Sequence, residues 1–285
     1  MNLLVITADD FGLSAEVNEA VDRAHREGVL TAASLMVSGA AAREAIDIAR
    51  NRPTLRVGLH LVLLEGRPTL EPQQIPELVQ PNGFLRSDMV RLAFELAGKP
   101  EIRRQLKREI AAQFAAFARS GLPLDHVNAH KHFHMHPIVA AQVIEVGRQF
   151  GMRALRVPRE PGHGMAPGCA VLKAQARRAG LATPDAVAGL RWTGQMTRER
   201  LLAAVRTAPD GLVEIYTHPA TSNRFAGHAP GYRYREELAA LIDPETVATV
   251  KRSGKPTGGY ADAAPYRVGI TAAGSPRGET MRSRP

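Results

Sequence analysis

The chain has 285 residues, and its 44% hydrophobic and 23% charged residues exclude a fibrous or wholly disordered protein. Its single cysteine, Cys169, excludes an intrachain disulfide and a metal site built from several thiolates. The net charge is +9, but seven basic and only two acidic residues lie within 251–285, so the remainder is only mildly basic. Because aromatic residues make up only 5% of the chain, few are available to stack on bases, and we expect no nucleic-acid partner.

The N-terminal apolar run, residues 1–6, has no basic region before it and meets Asp9 and Asp10 at once, unlike a secretory signal peptide. No stretch reaches 18 uninterrupted apolar residues, so the sequence predicts no transmembrane helix. We therefore expect a cytoplasmic protein. The basic C-terminal end also leaves open a peripheral contact with the inner face of the membrane.

Short apolar runs alternate with amphipathic stretches along most of the chain. The apolar runs predict strands over residues 2–8, 31–37, 55–63, 125–130, 154–157 and 211–217. The amphipathic stretches predict helices over residues 15–27, 40–50, 101–119, 137–150, 170–179 and 197–207. Ser14 is placed to cap the first helix and Gly28 to end it. This alternation is typical of parallel βαβ units and predicts an α/β fold.

Two regions do not follow the alternation. Residues 64–100 are irregular, with several prolines and an Asn-Gly turn, and a connection of this length often forms a functional lid. Beyond about Gly254 the chain is rich in Gly, Pro, Ser and Arg. We therefore predict one domain over residues 1–255 and a basic, disordered tail over residues 256–285.

Polar residues stand at or near the ends of four predicted strands. They are the pair Asp9 and Asp10, His60, the histidine-rich run 130–136, and His218. If the βα units close into a barrel, the carboxyl ends of the strands share one face, where such barrels place their active sites. We expect these polar side chains to converge there.

The histidine-rich run is the most unusual feature, because five of the ten histidines lie within residues 126–136. Such tracts indicate metal binding. In an extended chain His130, His132, His134 and His136 would share one face. They cannot all bind one ion, so we expect one or two to be ligands and the others to contact substrate or orient neighbours.

Two adjacent acids suit two tasks, since a helix cap needs only one of them. One carboxylate can bind a cation while the other stays free as a base. A carboxylate and two imidazoles leave coordination positions open, as in a catalytic site, and favour metal-assisted hydrolysis. The set suits zinc, with magnesium, cobalt and nickel as alternatives. The chain has no glycine-rich phosphate-binding motif, so no nucleotide cofactor is expected.

Four segments together resemble the YdjC-like carbohydrate deacetylases. They are residues 7–12 (TADDFG), 58–61 (GLHL), 130–137 (HKHFHMHP) and 216–219 (YTHP). Their order and spacing match, and the resemblance covers roughly residues 2–255. The stretch 56–68 is most similar to the branch associated with hopanoid biosynthesis, HpnK.

The resemblance implies a distorted, TIM-like (β/α) barrel of the polysaccharide-deacetylase kind. It also implies metal-dependent removal of acetyl from an N-acetylglucosamine-containing sugar or glycolipid, which an N-acetylglucosaminyl hopanoid would satisfy. By motif position the metal ligands would be Asp10, His60 and His130. Asp9 would be the general base and His218 the general acid.

We further predict substrate contacts from His132, His134 and Arg156. The chain departs from the family pattern at Asn128, where many members carry an acid, and at Ala129, where serine is common. A carboxylate beside the metal ligands is therefore lost at position 128, and His132 or His134 could be oriented differently.

Two other functions remain open from sequence. One is a metallo-phosphoesterase on the same barrel, which would favour more acids and a second metal. The other is a metal- or sugar-binding protein without turnover, which would need neither Asp9 as a free base nor His218 as an acid. The oligomeric state also stays open, a homodimer included.

Overall fold

A computed structural model describes residues 2–160, 162 and 166–263. Its centre is a six-stranded sheet in which every pair of neighbouring strands is parallel. The strands are β1 (Leu3–Phe11), β2 (Ala32–Leu35), β3 (Arg56–Leu61), β4 (Val127–Ala129), β5 (Ala186–Ala188) and β6 (Leu212–Thr217). Their order across the sheet is β4-β3-β2-β1-β6-β5, so β1 and β6 lie near the middle and are buried along their whole length.

The two edges of the sheet are bridged by residues 154–159. The Val127 amide donates to Ala154 O at 3.1 Å and the Arg156 amide to Val127 O at 2.9 Å, which ties this segment to β4. On the other side the Val187 amide donates to Arg159 O at 2.9 Å, which ties it to β5. The predicted strand over 154–157 is therefore present as isolated pairings in a sheet that curls on itself, and the predicted α/β fold is confirmed.

Nine helices of the described residues surround the sheet. They are α1 (Ala15–Glu27), α2 (Ala42–Arg50), α3 (Met89–Gly98), α4 (Pro100–Arg119), α5 (Pro137–Gln149), α6 (Ala166–Arg178), α7 (Arg198–Arg206), α8 (Tyr234–Ile242) and α9 (Pro244–Arg252). Helix α1 has the predicted bounds: Ser14 accepts from the Val17 amide, and at Gly28 a Cβ would lie 2.3 Å from Leu241 O. The sequence patterns missed α3, α8, α9 and the three-residue strand β5. A strand of three residues carries too short a pattern to stand out.

Alternate residues of the central strands separate the core into two parts. Leu4 and Ile6 of β1 belong to the main apolar cluster, which includes residues of the surrounding helices. Leu3 and Val5 belong to a second, smaller cluster on the other face of the strand. The side chains that follow on this second face are Thr7 and then Asp9, because successive residues of a strand point to opposite sides. The inside of the curled sheet is thus apolar at the start of β1 and polar at its carboxyl end.

The chain continues its packing beyond the predicted domain boundary at residue 255. Residues 256–263, here called the C-terminal strap, run beside β1, where the Leu4 amide donates to Pro256 O at 2.9 Å. Tyr260 and Ala263 join the small apolar cluster, and Tyr260 is completely buried. Residues 256–263 of the predicted tail are therefore packed against the sheet. Residues 264–285 lie outside the described part of the chain, and so does the predicted disorder there.

None of the helices in the described residues is long and apolar enough to cross a membrane.

Candidate metal centre and active site

Asp10, His60 and His130 converge at the carboxyl end of the sheet, as the sequence predicted. Asp10 Oδ1 lies 3.3 Å from His60 Nε2 and 3.5 Å from His130 Nδ1. One carboxylate oxygen and one nitrogen of each imidazole all lie within 4.8 Å of one another. The buried atoms Asp10 Oδ1 and His60 Nε2 have no hydrogen-bond partner. Unpartnered buried polar atoms are costly, and a shared divalent cation would satisfy both.

The backbone of β1 turns the two acids toward different partners. The register between β1 and β2 shifts between Ala8 and Phe11, and Asp10 adopts a positive φ of 64°. This left-handed conformation is uncommon outside glycine, and residues that adopt it cluster at functional sites. Both acids are buried, but Asp10 meets the histidines while Asp9 meets a guanidinium.

Arg156 lies beneath Asp9 and holds it with two hydrogen bonds. Its Nη1 and Nη2 donate to Asp9 at 2.5 and 3.0 Å, and its Nε and Nη2 donate to Glu214 at 2.8 and 2.7 Å. Burial by itself would raise the pKa of Asp9, but the Arg156 charge and the nearby His60 hold it well below its ordinary value. Arg156 is completely buried. The predicted substrate contact from Arg156 is therefore wrong, because carboxylates occupy two edges of its buried guanidinium.

Asn128 joins the candidate ligand His60 to Asp9. Its Oδ1 accepts from His60 Nδ1 at 2.7 Å, which turns His60 Nε2 toward Asp10. Its Nδ2 donates to Asp9 Oδ1 at 3.1 Å and to Ser34 Oγ at 2.9 Å. The sequence identified Asn128 only as a departure from the family pattern, and its contacts show that the amide orients the site.

The histidine-rich run forms a 3-10 turn over His130–Met135 rather than an extended strand, so the shared face predicted for its histidines is wrong. Lys131 and His132 both have φ of 54°, which turns the chain sharply after His130. Only His130 reaches the metal centre. His134 is completely buried, with Nε2 donating to Arg156 O at 2.8 Å, so it supports the fold rather than contacting substrate.

His132 and His218 both contact Tyr216. His132 Nε2 is 3.4 Å from the Tyr216 hydroxyl, and the rings of His218 and Tyr216 meet edge to face at 5.5 Å. His218 also packs against Tyr232, and its backbone amide donates to Glu237. The ring nitrogen Nδ1 of His218 is buried without a hydrogen-bond partner. His132 is half-buried beside this position, and its contact with substrate stays a prediction.

A cavity of about 300 Å³ opens next to His130. Its apolar wall comes from Leu13, Met36, Val62 and Phe84. Its charged rim comes from Glu65, which pairs with Lys131, and Arg67, which lies 5.2 Å from the Phe84 ring centre. Phe84, Glu65 and Arg67 belong to the long irregular segment after β3. This segment, predicted as a lid, therefore forms one wall of the cavity.

Fold and site together define an α/β protein with a candidate divalent-cation site at the carboxyl end of a curled parallel sheet. The described residues hold one such cluster of ligands, made of Asp10, His60 and His130. The family of YdjC-like proteins matches residues 3–252, and the chain belongs to this family.

Similar proteins span nearly the whole chain. A carbohydrate deacetylase of Brevibacillus brevis is 33% identical over 253 residues, which cover 87% of this chain and 93% of the relative. A chitooligosaccharide deacetylase of Serratia marcescens is 31% identical over 271 residues, which cover 91% and 98%. Among solved structures, a suggested cellobiose-phosphate cleavage protein of Enterococcus faecalis superposes with a TM-score of 0.75 at 22% identity, covering 91% of this chain and 97% of that one. The last likeness concerns the fold.

Proposed function

We propose that this protein is a metal-dependent carbohydrate deacetylase that removes the acetyl group of an N-acetylglucosamine unit and releases acetate and a free amino sugar. The observation that carries the proposal is the unpartnered pair Asp10 Oδ1 and His60 Nε2, which lies beside Asp9 and beside His130, a residue that borders the cavity. The curated relatives, which are deacetylases of carbohydrates and chitooligosaccharides, support the same reaction.

Asp10, His60 and His130 are the residues that would hold the cation. When bound, a divalent cation supplies Lewis-acid polarisation of the acetamide carbonyl and lowers the pKa of water. Two imidazoles and one carboxylate leave positions for substrate and water. Asn128 keeps His60 in the required orientation by accepting from its Nδ1.

Asp9 is the proposed general base. It takes a proton from the water that attacks the acetamide carbonyl carbon. Arg156 keeps the Asp9 carboxylate ionised and fixes both of its oxygens, which orients it for the proton transfer. A carboxylate with so low a pKa is a weak base, and it therefore suits a water that is itself made more acidic.

His218 is the proposed general acid. As the C–N bond breaks, a protonated His218 ring gives its proton to the departing nitrogen, so the sugar leaves as a neutral amine and the acetyl group leaves as acetate. The neighbouring rings of Tyr216 and Tyr232 hold the imidazole in place.

The cavity beside His130 is the proposed site for the sugar and the group attached to it. Its wall is mainly apolar, which supports a glycolipid as well as a free oligosaccharide. A hopanoid bearing N-acetylglucosamine is the finer proposal, consistent with the resemblance of residues 56–68 to HpnK.

The test is acetate release from a panel of chitooligosaccharides and N-acetylglucosaminyl glycolipids, with and without a chelator. We expect release that stops on chelation and returns with added Zn²⁺ or Mg²⁺. Metal binding without acetate release from any member would support a non-catalytic sugar- or metal-binding protein instead. Full activity in the metal-free protein would overturn the role of Asp10, His60 and His130.

A further inference from the structure

The C-terminal strap, residues 256–263, lies beyond the part of the chain that the family matches, which ends at residue 252. One residue of the strap, Tyr260, is completely buried and begins two hydrogen-bonded chains of residues that lead to the candidate site, where Asn128 joins them. We propose that Tyr260 is a positioning residue, which holds Asp9 through one chain and the metal ligand His60 through the other. This inference rests on the proposed function.

The first chain begins at the Tyr260 hydroxyl, which donates to Glu214 Oε2 at 2.6 Å. Glu214 Oε1 accepts from Thr7 Oγ1 at 2.7 Å. Each oxygen of Glu214 also accepts from Arg156, and Arg156 in turn holds Asp9. Every group in this chain is buried.

The geometry of these hydrogen bonds allows Tyr260 to fix the position of Asp9 through Glu214 and Arg156. The two hydroxyl donors, one on each oxygen of Glu214, fix the rotation of that carboxylate. Because Arg156 is planar and binds Glu214 through Nε and Nη2, the plane of Glu214 sets the plane of the guanidinium. The remaining edge of that guanidinium then sets the position of Asp9.

The second chain begins at the backbone of the strap. The amides of Tyr260 and Ala261 donate to Asp125 at 3.0 and 2.9 Å. Asp125 Oδ2 lies 2.8 Å from His126 Nδ1, and His126 Nε2 lies 2.9 Å from Ser34 Oγ. The His126 ring also stacks on the Tyr260 ring, with centroids 4.9 Å apart.

Ser34 completes the second chain. Its Oγ accepts from Asn128 Nδ2 at 2.9 Å, and Asn128 accepts from His60. The strap thus reaches both the proposed base and a proposed metal ligand from below. A strap that served only as a cover would need the apolar ring of Tyr260, but neither its hydroxyl nor the two amides on Asp125.

The first experiment uses Tyr260→Phe in the full chain, which removes the hydroxyl and keeps the ring. We expect kcat to fall about ten-fold per folded molecule, with KM and bound Zn²⁺ unchanged. The reason is that the hydrogen-bonded series that loses the hydroxyl ends on Asp9, the proposed base. Ser120→Ala is the matched control: it also removes a buried hydroxyl, one that donates to Phe117 O near the end of α4, and should leave kcat unchanged.

The second experiment uses Asp125→Asn, which removes one of the two acceptor oxygens at the start of the other chain. We expect the Kd for Zn²⁺, measured by titration calorimetry, to rise about ten-fold, because this chain orients His60. Ser120→Ala should bind Zn²⁺ as the unaltered protein does.

The two readouts separate the inference from the proposed function. A protein that releases no acetate from any substrate would contradict the deacetylase proposal, while the Zn²⁺ titration of Asp125→Asn would still decide the role of the strap. Tyr260→Phe with the kcat of the unaltered protein, or Asp125→Asn with its Zn²⁺ affinity, would overturn the inference even if both variants lose stability.

Discussion

Asn128 shows how one side chain can accept a hydrogen bond from one neighbour and donate one to another. Its amide offers an acceptor to His60 Nδ1 and a donor to Asp9 Oδ1. A carboxylate at the same position could accept from His60, but it would place a second negative charge about 3 Å from Asp9. The departure from the family pattern therefore changes the partner of Asp9, while the candidate ligand set of Asp10, His60 and His130 stays intact.

His130→Ala should remove a candidate ligand of the metal. His136→Ala should not, because His136 lies six positions further along the histidine-rich run, after Lys131 and His132 have turned the chain. We expect the first variant to lose most of its Zn²⁺ affinity and its turnover, because only His130 of this run joins the ligand cluster. Titration calorimetry with Zn²⁺ on both variants is the measurement. Stoichiometric metal and a normal rate in His130→Ala would remove it from the ligand set.

Asp9→Asn should keep the metal and lose rate. Asparagine retains the shape of the side chain but cannot take a proton, so we expect kcat to fall by about 10²- to 10⁴-fold. Bound metal and the rate are measured together, with Asp10→Asn as the matched variant that should lose metal. If Asp9→Asn loses the metal and Asp10→Asn keeps it, the two acids have exchanged roles.

At the scale of elements, the long segment between β3 and α4 combines two functions. Its first part lines the cavity with Glu65, Arg67 and Phe84. Its later part forms α3, whose Leu92 and Leu96 are buried while Phe94 is 77% exposed. The prolines and turn residues of the segment conceal α3 from periodicity, because they break the pattern just before the helix begins.

Phe84→Ala should therefore weaken substrate binding with little effect on the chemical step. The ring forms part of the cavity wall but lies in no hydrogen-bonded chain to Asp9, so we expect a higher KM and an unchanged kcat. Phe94→Ala is the matched control, since that ring is exposed on α3 and does not line the cavity. A fall in kcat with KM unchanged would contradict the assignment of this wall to binding.

At the scale of the whole molecule, the strap closes the apolar end of the curled sheet. It covers Leu3 and Val5 with Tyr260 and Ala263, while the opposite end of the same interior carries Asp9 and Asp10. The small apolar cluster and the candidate active site are thus the two ends of one interior, and the strap supports both.

A chain ending at residue 255 should be less stable than one ending at residue 263. Loss of residues 256–263 exposes the small cluster and removes two amide donors from Asp125 and the Tyr260 hydroxyl from Glu214, so we expect the free energy of unfolding to fall by about 3 kcal/mol or more. Urea denaturation of the two truncated chains measures this directly. Equal stability would place the true boundary at residue 255, as the sequence predicted.

The stability supplied by Asp125 should depend on pH in acid. Burial by itself would raise the pKa of Asp125. His126 and the amides of Ala261 and Tyr260 lower it by more, so the pKa in the folded protein lies below that in the unfolded chain. A carboxyl with a lowered folded-state pKa stabilises the fold above its unfolded pKa and loses that contribution as pH falls. We expect Asp125→Asn to be clearly less stable than the unaltered chain at pH 7, with the difference shrinking below about pH 4.

This pH dependence is measured by thermal unfolding from pH 7 to pH 3. Glu27 supplies the control, since Glu27→Gln alters exposed ion pairs with Arg23 and Arg26 and should change stability little. A difference for Asp125→Asn that stays constant across this range would show that its charge does not contribute.

The amino-acid sequence by itself determined the local features of this protein. Apolar runs predicted the strands of a parallel sheet, Ser14 and Gly28 set the bounds of α1, and motif order predicted the convergence of Asp10, His60 and His130. Each of these rests on residues close in the chain or on a pattern repeated among relatives. Such signals are visible before folding.

Only the tertiary structure decided what surrounds the three ligands. Arg156 is 147 positions from Asp9, Asn128 is 119 positions from it, and Tyr260 is 46 positions from Glu214. No periodicity or spacing links residues so far apart in the chain. The sequence also does not distinguish a buried arginine, such as Arg156, from one that binds substrate. Curling of the sheet brings these groups into one interior, where the cost of burying charge obliges each of them to find a partner.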